Sequence, residues 1–319
     1  MSIIEQAAKR IEELSRAGID VPWAATGAPG PRPRKEATLH AVDTSADTVH
    51  AAAPARAPSN DVDYLAPAPA PAVPEPPAPI HVTLDLQRLE QAGEIVATDT
   101  RSILAEEFRH IKRPLLKNAR GKDAIAKRLP LIAVTSALPG EGKTFCAINL
   151  AMSIAAEIDF SVLLVDADVV RHDAMTRLGV QAEAGLLDLL TNDSLRLEDV
   201  VLRTNVPKLS LLPAGRRHHL STELLASGAM DKLMRTLASD YPRQIVVFDA
   251  PPLLVTSEAK VLASRVGQVV LVVEACNTER SKVARAFEIV EQCPIVMSVL
   301  NKAQAPEKGE GDGYGYGYY

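Results

Sequence analysis

Cysteine is scarce in this chain: Cys146, Cys276 and Cys293 are the only three among 319 residues, and none stands in a CxxC pair. A disulfide framework and a cysteine-based zinc site are thereby excluded, and the apolar neighbours predict reduced core thiols in a reducing compartment. The adjacent His218 and His219 have no partner ligands at metal spacing and read as a loop pair. No apolar run approaches 18 residues and no signal-peptide core is present, so the chain is expected neither to cross nor to enter a membrane by itself, any membrane role falling to a partner. Positive charge is not in surplus either: a net charge of −5 supplies no field for non-specific nucleic-acid binding, and no nucleic-acid partner is expected.

Proline is sparse except in one stretch, where 13 of the 23 prolines fall between Pro22 and Pro79 amid alanine and short polar residues. Such a composition cannot bury enough apolar surface to offset its ordering entropy, so residues 19–80 are predicted to be a disordered, locally polyproline-like linker. Before it, Ile3, Ile4, Ala7, Ala8, Ile11 and Leu14 recur at helical spacing, which predicts a short amphipathic helix over 1–18 that resembles a docking peptide. After it, residues 81–303 have the texture of a single α/β domain. Residues 304–319 close the chain as a glycine-rich segment, predicted to be flexible, that holds four of its six tyrosines, Tyr314, Tyr316, Tyr318 and Tyr319. Eight Lys and Arg side chains lie between Arg109 and Arg128; a solvated helix face or a subunit contact accounts for them, and anionic lipid is the other surface such a cluster fits.

Six apolar runs, at about 131–136, 161–166, 209–213, 245–249, 269–274 and 295–300, are nearly continuous rather than alternating, as strands buried on both faces require. Helical stretches at 101–118, 143–157, 221–240, 257–265 and 279–292 supply the crossovers. The predicted fold is a doubly wound, mainly parallel α/β sandwich.

The first run leads through Ala137-Leu138-Pro139-Gly140-Glu141-Gly142-Lys143-Thr144 into the helical segment that begins with Phe145. Strand, glycine-rich loop and helix in this order make a phosphate site: the loop's N–H groups turn inward, the helix N-terminus adds partial positive charge, Lys143 reaches the β and γ phosphates, and the Thr144 hydroxyl faces Mg²⁺. Ala137 replaces the first glycine of the strict GxxxxGK[ST] pattern, and a small residue there still permits the turn. Two later runs end in Asp166-Ala167-Asp168 and in Asp249-Ala250-Pro251-Pro252. Three carboxylates therefore emerge at the carboxyl ends of strands, the edge where open α/β sheets bind ligands. An aspartate there is also a common helix N-cap, but three beside a phosphate loop point to metal or catalytic work.

Strand, PGEGKT, a hydrophobic run ending DAD, another ending DAPP, and a tyrosine-rich terminus together resemble a bacterial tyrosine autokinase of exopolysaccharide synthesis, over about residues 100–319. The resemblance implies a P-loop kinase that uses ATP and Mg²⁺ and phosphorylates its own tyrosine cluster between subunits. It implies the architecture of the ParA and MinD ATPases, a fold unrelated to that of eukaryotic protein kinases. It further implies a cytoplasmic protein held peripherally at the inner membrane by a polysaccharide chain-length regulator, with a tyrosine phosphatase as its counterpart. Carried over residue by residue, Pro139, Gly140, Glu141, Gly142, Lys143, Thr144 and Phe145 form the nucleotide loop, and Asn301, followed by Lys302, resembles the adenine-side segment. Asp166 accepts the tyrosine proton, while Thr144, Asp168 and Asp249 position the metal. The family's Glu-x-x-Arg-x-x-Arg packing helix has its counterpart in Glu106, Arg109 and Lys112, with a lysine where the last arginine is usual. Val170 occupies the position where the family tends to have arginine, and Arg171 comes one later. The proline-rich leader resembles the variant associated with exosortase-linked loci. The competing assignment is a ParA- or MinD-like positioning ATPase, which carries a second lysine five places before the loop lysine; here that place is Leu138.

Overall fold

The computed structural model describes residues 79–96, 102–120, 128–239 and 243–303. The predicted N-terminal helix, the linker up to residue 78 and the tyrosine-bearing residues 304–319 lie outside the described residues. Eight strands form one sheet: β1 (Ile80–Val82), β2 (Leu131–Ser136), β3 (Ser161–Asp166), β4 (Leu202–Thr204), β5 (Leu209–Leu212), β6 (Gln244–Asp249), β7 (Gln268–Glu274) and β8 (Ile295–Asn301). Their order is β1-β4-β5-β3-β6-β2-β7-β8. Every pairing is parallel except β4 with β5.

The described helices are α1 (Leu86–Gln91), α2 (Ile103–Ala119), α3 (Lys143–Ala155), α4 (Asp173–Leu178), α5 (Leu186–Thr191), α6 (Ser221–Ala226), α7 (Gly228–Ser239), α8 (Ser257–Ala263) and α9 (Arg280–Ile289). The strand residues alternate between two hydrophobic cores. Leu131, Ala133, Leu163, Val165, Val246 and Phe248 face one core with α5, α6, α7 and α8. Their neighbours Ile132, Val134, Val162, Leu164, Ile245 and Val247 face the other with α2, α3 and α4. A continuous apolar run is thus an alternating strand whose two faces are both buried, which is why the central strands carry no polar period. At strand ends the pattern changes, because the edge must present chemistry instead of packing.

Three sequence expectations are corrected. Among the described residues the sheet has eight strands, not six: β1 and β4 are three residues long, too short for an apolar run to mark, and β1 begins at Ile80, the residue assigned to the end of the linker. The helix expected over 221–240 is two, because the backbone of Ser227 is extended, with φ −74° and ψ 163°, ahead of Gly228. Cys146 and Cys293 are buried as expected, but Cys276 is exposed in a left-handed turn with φ 57°.

Gln268, fully buried at the start of β7, ties β7 to α2 and to the segment that leads into β2. Its Nε2 donates to the carbonyls of Leu115, in the last turns of α2, at 3.1 Å, and of Leu129 at 2.6 Å. Its Oε1 accepts from Asn118 Nδ2 at 3.0 Å. Gln268→Leu preserves volume but strands two carbonyls and an amide in the interior. Unpaired buried polar groups cost about 1–3 kcal/mol each, so with three groups losing this partner the variant is expected to lose about 3 kcal/mol or more, read as a lower midpoint in guanidinium unfolding.

Candidate active site

The loop between β2 and α3 is shaped by two glycines in the left-handed region, Gly140 at φ 90° and Gly142 at φ 96°. At Gly142 the need for glycine is double, since a Cβ there would lie 2.0 Å from Nδ2 of Asn301. That amide donates to the Glu141 carbonyl at 2.8 Å, and Lys302 Nζ donates to the Gly140 carbonyl at 2.8 Å. With these carbonyls engaged from the end of β8, the loop's N–H groups are left to face a ligand at the α3 N-terminus, where the helix dipole favours an anion. The Glu141 carboxylate turns back into the protein, accepting from Leu138 N at 2.6 Å and from the Thr278 hydroxyl. Glu141 therefore braces the loop. The Phe145 ring lies 6.1 Å from that of Phe108 on α2, and Pro139 is exposed at the loop's tip.

Parallel register places the carboxylates. Asp166 of β3 is level with Asp249 of β6, and Asp249 is level with Val134 of β2, two residues short of the loop. Asp168 follows in the turn after β3. All three, together with Lys143 and Thr144, are buried. Lys143 Nζ lies 2.7 Å from Asp168 Oδ2 and 3.6 Å from Asp249 Oδ1, and 3.4 Å from the Thr144 hydroxyl. Burial alone would lower the Lys143 ammonium, but the charges of Asp249 and Asp168 outweigh it and hold the pKa above its ordinary value. Burial, reinforced by the Asp249 charge, pushes Asp166 up to about 8. Asp249 is pushed up to about 6 by burial against the pull of Lys143. Among the described residues, Asp166 Oδ1 and both Asp249 oxygens are buried without a hydrogen-bond donor.

Hard anionic oxygens beside a threonine hydroxyl fit a divalent cation. No three acidic, His or Cys groups among the described residues converge to hold an ion by themselves, so such a cation would need further ligands from phosphate and water, as Mg²⁺ commonly does.

Of the packing-helix residues, Glu106 and Arg109 pair with each other on the half-exposed face of α2 at 2.8 Å. Lys112 departs from expectation: it is buried, donating to the Ser153 carbonyl at 2.7 Å and pairing with Glu157 at 2.7 Å. In this chain it ties α2 to α3. Arg171 is exposed. Sequence reasoning missed the brace made by Thr278 and the Lys302 contact. It also missed Asn149, whose Oδ1 accepts from Val96 N at 2.8 Å and whose Nδ2 donates to the Glu94 carbonyl at 2.9 Å, strapping the segment before α2 onto α3. A polar residue inside an otherwise apolar helix was the available signal for Asn149.

The AAA-domain family matches residues 130–291. The chain is 31% identical over 203 residues to the tyrosine-protein kinase YwqD of Bacillus subtilis, covering 64% of this chain and 82% of YwqD. It is 33% identical over 239 residues to the succinoglycan biosynthesis transport protein ExoP of Rhizobium meliloti, covering 72% of this chain but 28% of ExoP, so it corresponds to one part of that longer protein. Among solved structures it is similar to the kinase domain of Escherichia coli tyrosine kinase ETK, with a TM-score of 0.54 and 25% identity over 70% of this chain and 84% of that one.

The raised carboxylates give a signed pH dependence for the nucleotide-free protein. In the folded state Asp166 and Asp249 hold protons that the unfolded chain releases near pH 4. Their contribution is complete below about pH 4 and is lost as pH rises through about 6 for Asp249 and about 8 for Asp166. Asp166→Asn removes the larger of the two titrations. Relative to the parent, this variant is expected to gain stability as pH rises from about 5 to about 8, on the order of 1.4 kcal/mol for each tenfold difference in proton affinity between the folded and unfolded chains that the substitution abolishes. Denaturant unfolding without nucleotide or divalent cation measures it, and parallel pH profiles for the two chains count against the assignment.

Proposed function

Because this chain belongs to the P-loop bacterial tyrosine-protein kinases, we propose that it transfers phosphate from ATP to the tyrosines of its own terminal cluster, Tyr314, Tyr316, Tyr318 and Tyr319, between subunits. The observation that carries this reading is the convergence of Lys143 with Asp166, Asp168 and Asp249 at the carboxyl edge of the sheet. The loop from Pro139 to Phe145 takes the phosphates, and Asn301 marks the adenine side. Phosphate oxygens compete with Asp168 and Asp249 for the Lys143 ammonium, which moves the positive charge onto the transferring group. Asp166 receives the phenol proton as the tyrosine oxygen bonds to the γ phosphorus and the bond to ADP breaks. Asp166, which its pKa of about 8 keeps protonated near neutral pH in the nucleotide-free site, serves as this base once that proton has left, and a carboxylate of raised pKa is then a stronger base toward a phenol of pKa about 10 than an ordinary one is. Thr144, Asp168 and Asp249 would hold Mg²⁺, which neutralises charge on the phosphates when bound.

Reach permits transfer between subunits, and the packing helix is what favours it over transfer within one chain. Residues 303–319, counted from Lys302, average roughly 21–25 Å end to end as a flexible chain and span at most about 60 Å. We infer that Glu106 and Arg109 pack neighbouring subunits of a homo-oligomer. We also infer that a chain-length regulator of the inner membrane activates the kinase and holds it at the membrane's cytoplasmic side, and that a tyrosine phosphatase resets it. A role in exopolysaccharide synthesis is supported by the likeness to part of ExoP; no described helix is long and apolar enough to cross a membrane.

Purified protein given ATP and Mg²⁺, with the partner's cytoplasmic segment if inactive alone, is expected to show phosphate on the terminal peptide by mass spectrometry. Lys143→Met should abolish it. ATP hydrolysis with unmodified tail tyrosines under every condition favours a positioning ATPase instead. Four phosphotyrosines add about −6 to −8 charges, taking the net charge from −5 to about −11 to −13. Size-exclusion chromatography is expected to show smaller oligomers after phosphorylation, and unchanged oligomer size counts against charge-driven release.

A further inference from the structure

The loop after β5 presents Arg216, Arg217, His218 and His219 in succession, and it opens on the same sheet edge as the candidate active site. Leu212, the last residue of β5, is one position beyond Leu211 and level with Val165 of β3, the neighbour of Asp166. The root of the loop is built rather than loose. Asp188 Oδ2 accepts from the backbone N–H of Gly185 at 2.9 Å and of Arg216 at 3.0 Å, and Gly215 turns with φ 84°. Beyond that root the cations face outward. Arg216 has a side chain 76% exposed, with Nε 3.7 Å from Asp188 Oδ1 and 3.3 Å from the Glu183 carbonyl. Arg217 is exposed and makes no hydrogen bond or ion pair among the described residues. The two imidazoles stack at 4.7 Å, His218 accepting the Leu220 N–H through Nδ1 at 3.1 Å. Arg171, in the turn after β3, adds a further exposed guanidinium on the neighbouring strand.

We propose that this basic loop is the docking surface for the acidic, tyrosine-rich terminal segment of a second copy of the chain, and that it selects that segment as substrate. The inference rests on the reading of the terminal tyrosines as acceptors. Its motive is complementarity: residues 304–319 carry Glu307, Glu310 and Asp312 against the single cation Lys308, and these acids stand seven, four and two positions before Tyr314. The distances agree. Adjacent strands lie about 4.8 Å apart, so from β5 the carboxylate on β3 is one step away and the loop after β2 is three steps, about 15 Å. With Asp312 seated on the arginines, the chain spans up to about 14 Å to Tyr316 and about 25 Å to Tyr319, which brings the later tyrosines to the donor site. Guanidinium groups also take phosphate in bidentate fashion, so a segment already phosphorylated once binds more firmly while its remaining tyrosines stay within reach.

The test is direct binding, independent of phosphotransfer. A fluorescein-labelled peptide of residues 304–319 is titrated by anisotropy with the full-length chain and with the double variant Arg216→Glu, Arg217→Glu, whose circular dichroism confirms folding. The variant is expected to bind about tenfold more weakly in 50 mM salt, the gap narrowing to about threefold at 500 mM as screening grows. Arg217→Glu alone, which leaves the Asp188 contacts in place, is expected to fall between. A peptide carrying Glu310→Lys and Asp312→Lys should reverse the preference, and a peptide phosphorylated at Tyr314 should bind the parent more tightly than the unmodified one. Equal affinity of parent and double variant, or a charge-swapped peptide that fails to favour the variant, overturns the proposal. Loss of phosphatidylglycerol-vesicle binding with peptide affinity unchanged overturns it in favour of a membrane surface. Should phosphotransfer fail while the peptide still discriminates the two chains, the docking surface stands and the kinase reading of the tail falls.

Discussion

One buried ammonium faces three buried carboxylates, and the rest of the site follows from that imbalance. Lys143 lies within 3.6 Å of Asp168 and Asp249, yet a single positive charge cannot stabilise three negative charges in a medium where each lost hydration shell costs several kcal/mol. The protein resolves the excess by protonation: Asp166, with Asp249 beside it and no donor on Oδ1, is pushed up to about 8. A site in this condition is short of positive charge and short of donors. A divalent cation accompanying a nucleotide would supply the first, and the loop amides would offer the second to phosphate. The feature that makes this cluster costly by itself is therefore the one that would make it bind.

That imbalance can exist only because the fold holds it in place. The carboxylates are on neighbouring parallel strands in level register, with a hydrophobic core on each face of the sheet, so they cannot separate without unpicking the strands. The ammonium is held as firmly, since Lys143 begins α3, a helix almost wholly buried and locked to α2 through Lys112. The loop between these fixed parts is restrained from its outer side by Asn301, Lys302 and Thr278. Residues 301 and 302 immediately precede the terminal segment, so the same stretch of backbone that braces the phosphate loop also roots the tail.

How much of this is legible in the sequence depends on whether the signal is local. The loop, the two Asp-bearing strand ends and the six long strands are readable because each is written in consecutive residues with a fixed period or spacing. β1 and β4 are not, because three residues carry no period and their pairing is set by the partner strand. The place of Lys112 in a helical motif suggests a surface residue, whereas its direction is fixed by a carbonyl of α3 41 positions away. The apolar neighbours of Cys276 in sequence suggest a core thiol; the turn that exposes it is a tertiary consequence of β7 passing into α9. The brace from Thr278 to Glu141 spans 137 positions, and no spacing rule reaches that far.

Charge is divided between the interior and the rim of the sheet edge in opposite senses. Inside, acid exceeds base, which suits a cation and the phosphates it accompanies. At the rim after β3 and β5, Arg171, Arg216 and Arg217 are exposed, which suits an anionic peptide. The two fields do not cancel, because the interior carboxylates are largely offset by Lys143 and by the proton on Asp166, while the rim charges act through solvent and are screened within about 8–10 Å by salt. A substrate bearing acidic residues a few positions ahead of its tyrosines can be attracted by the rim without its carboxylates entering the acidic interior. Its neutral phenol is then the part that enters. The order of residues in the terminal segment, acids first and tyrosines after, matches that division, and a uniformly acidic or uniformly basic edge would admit only one half of such a substrate.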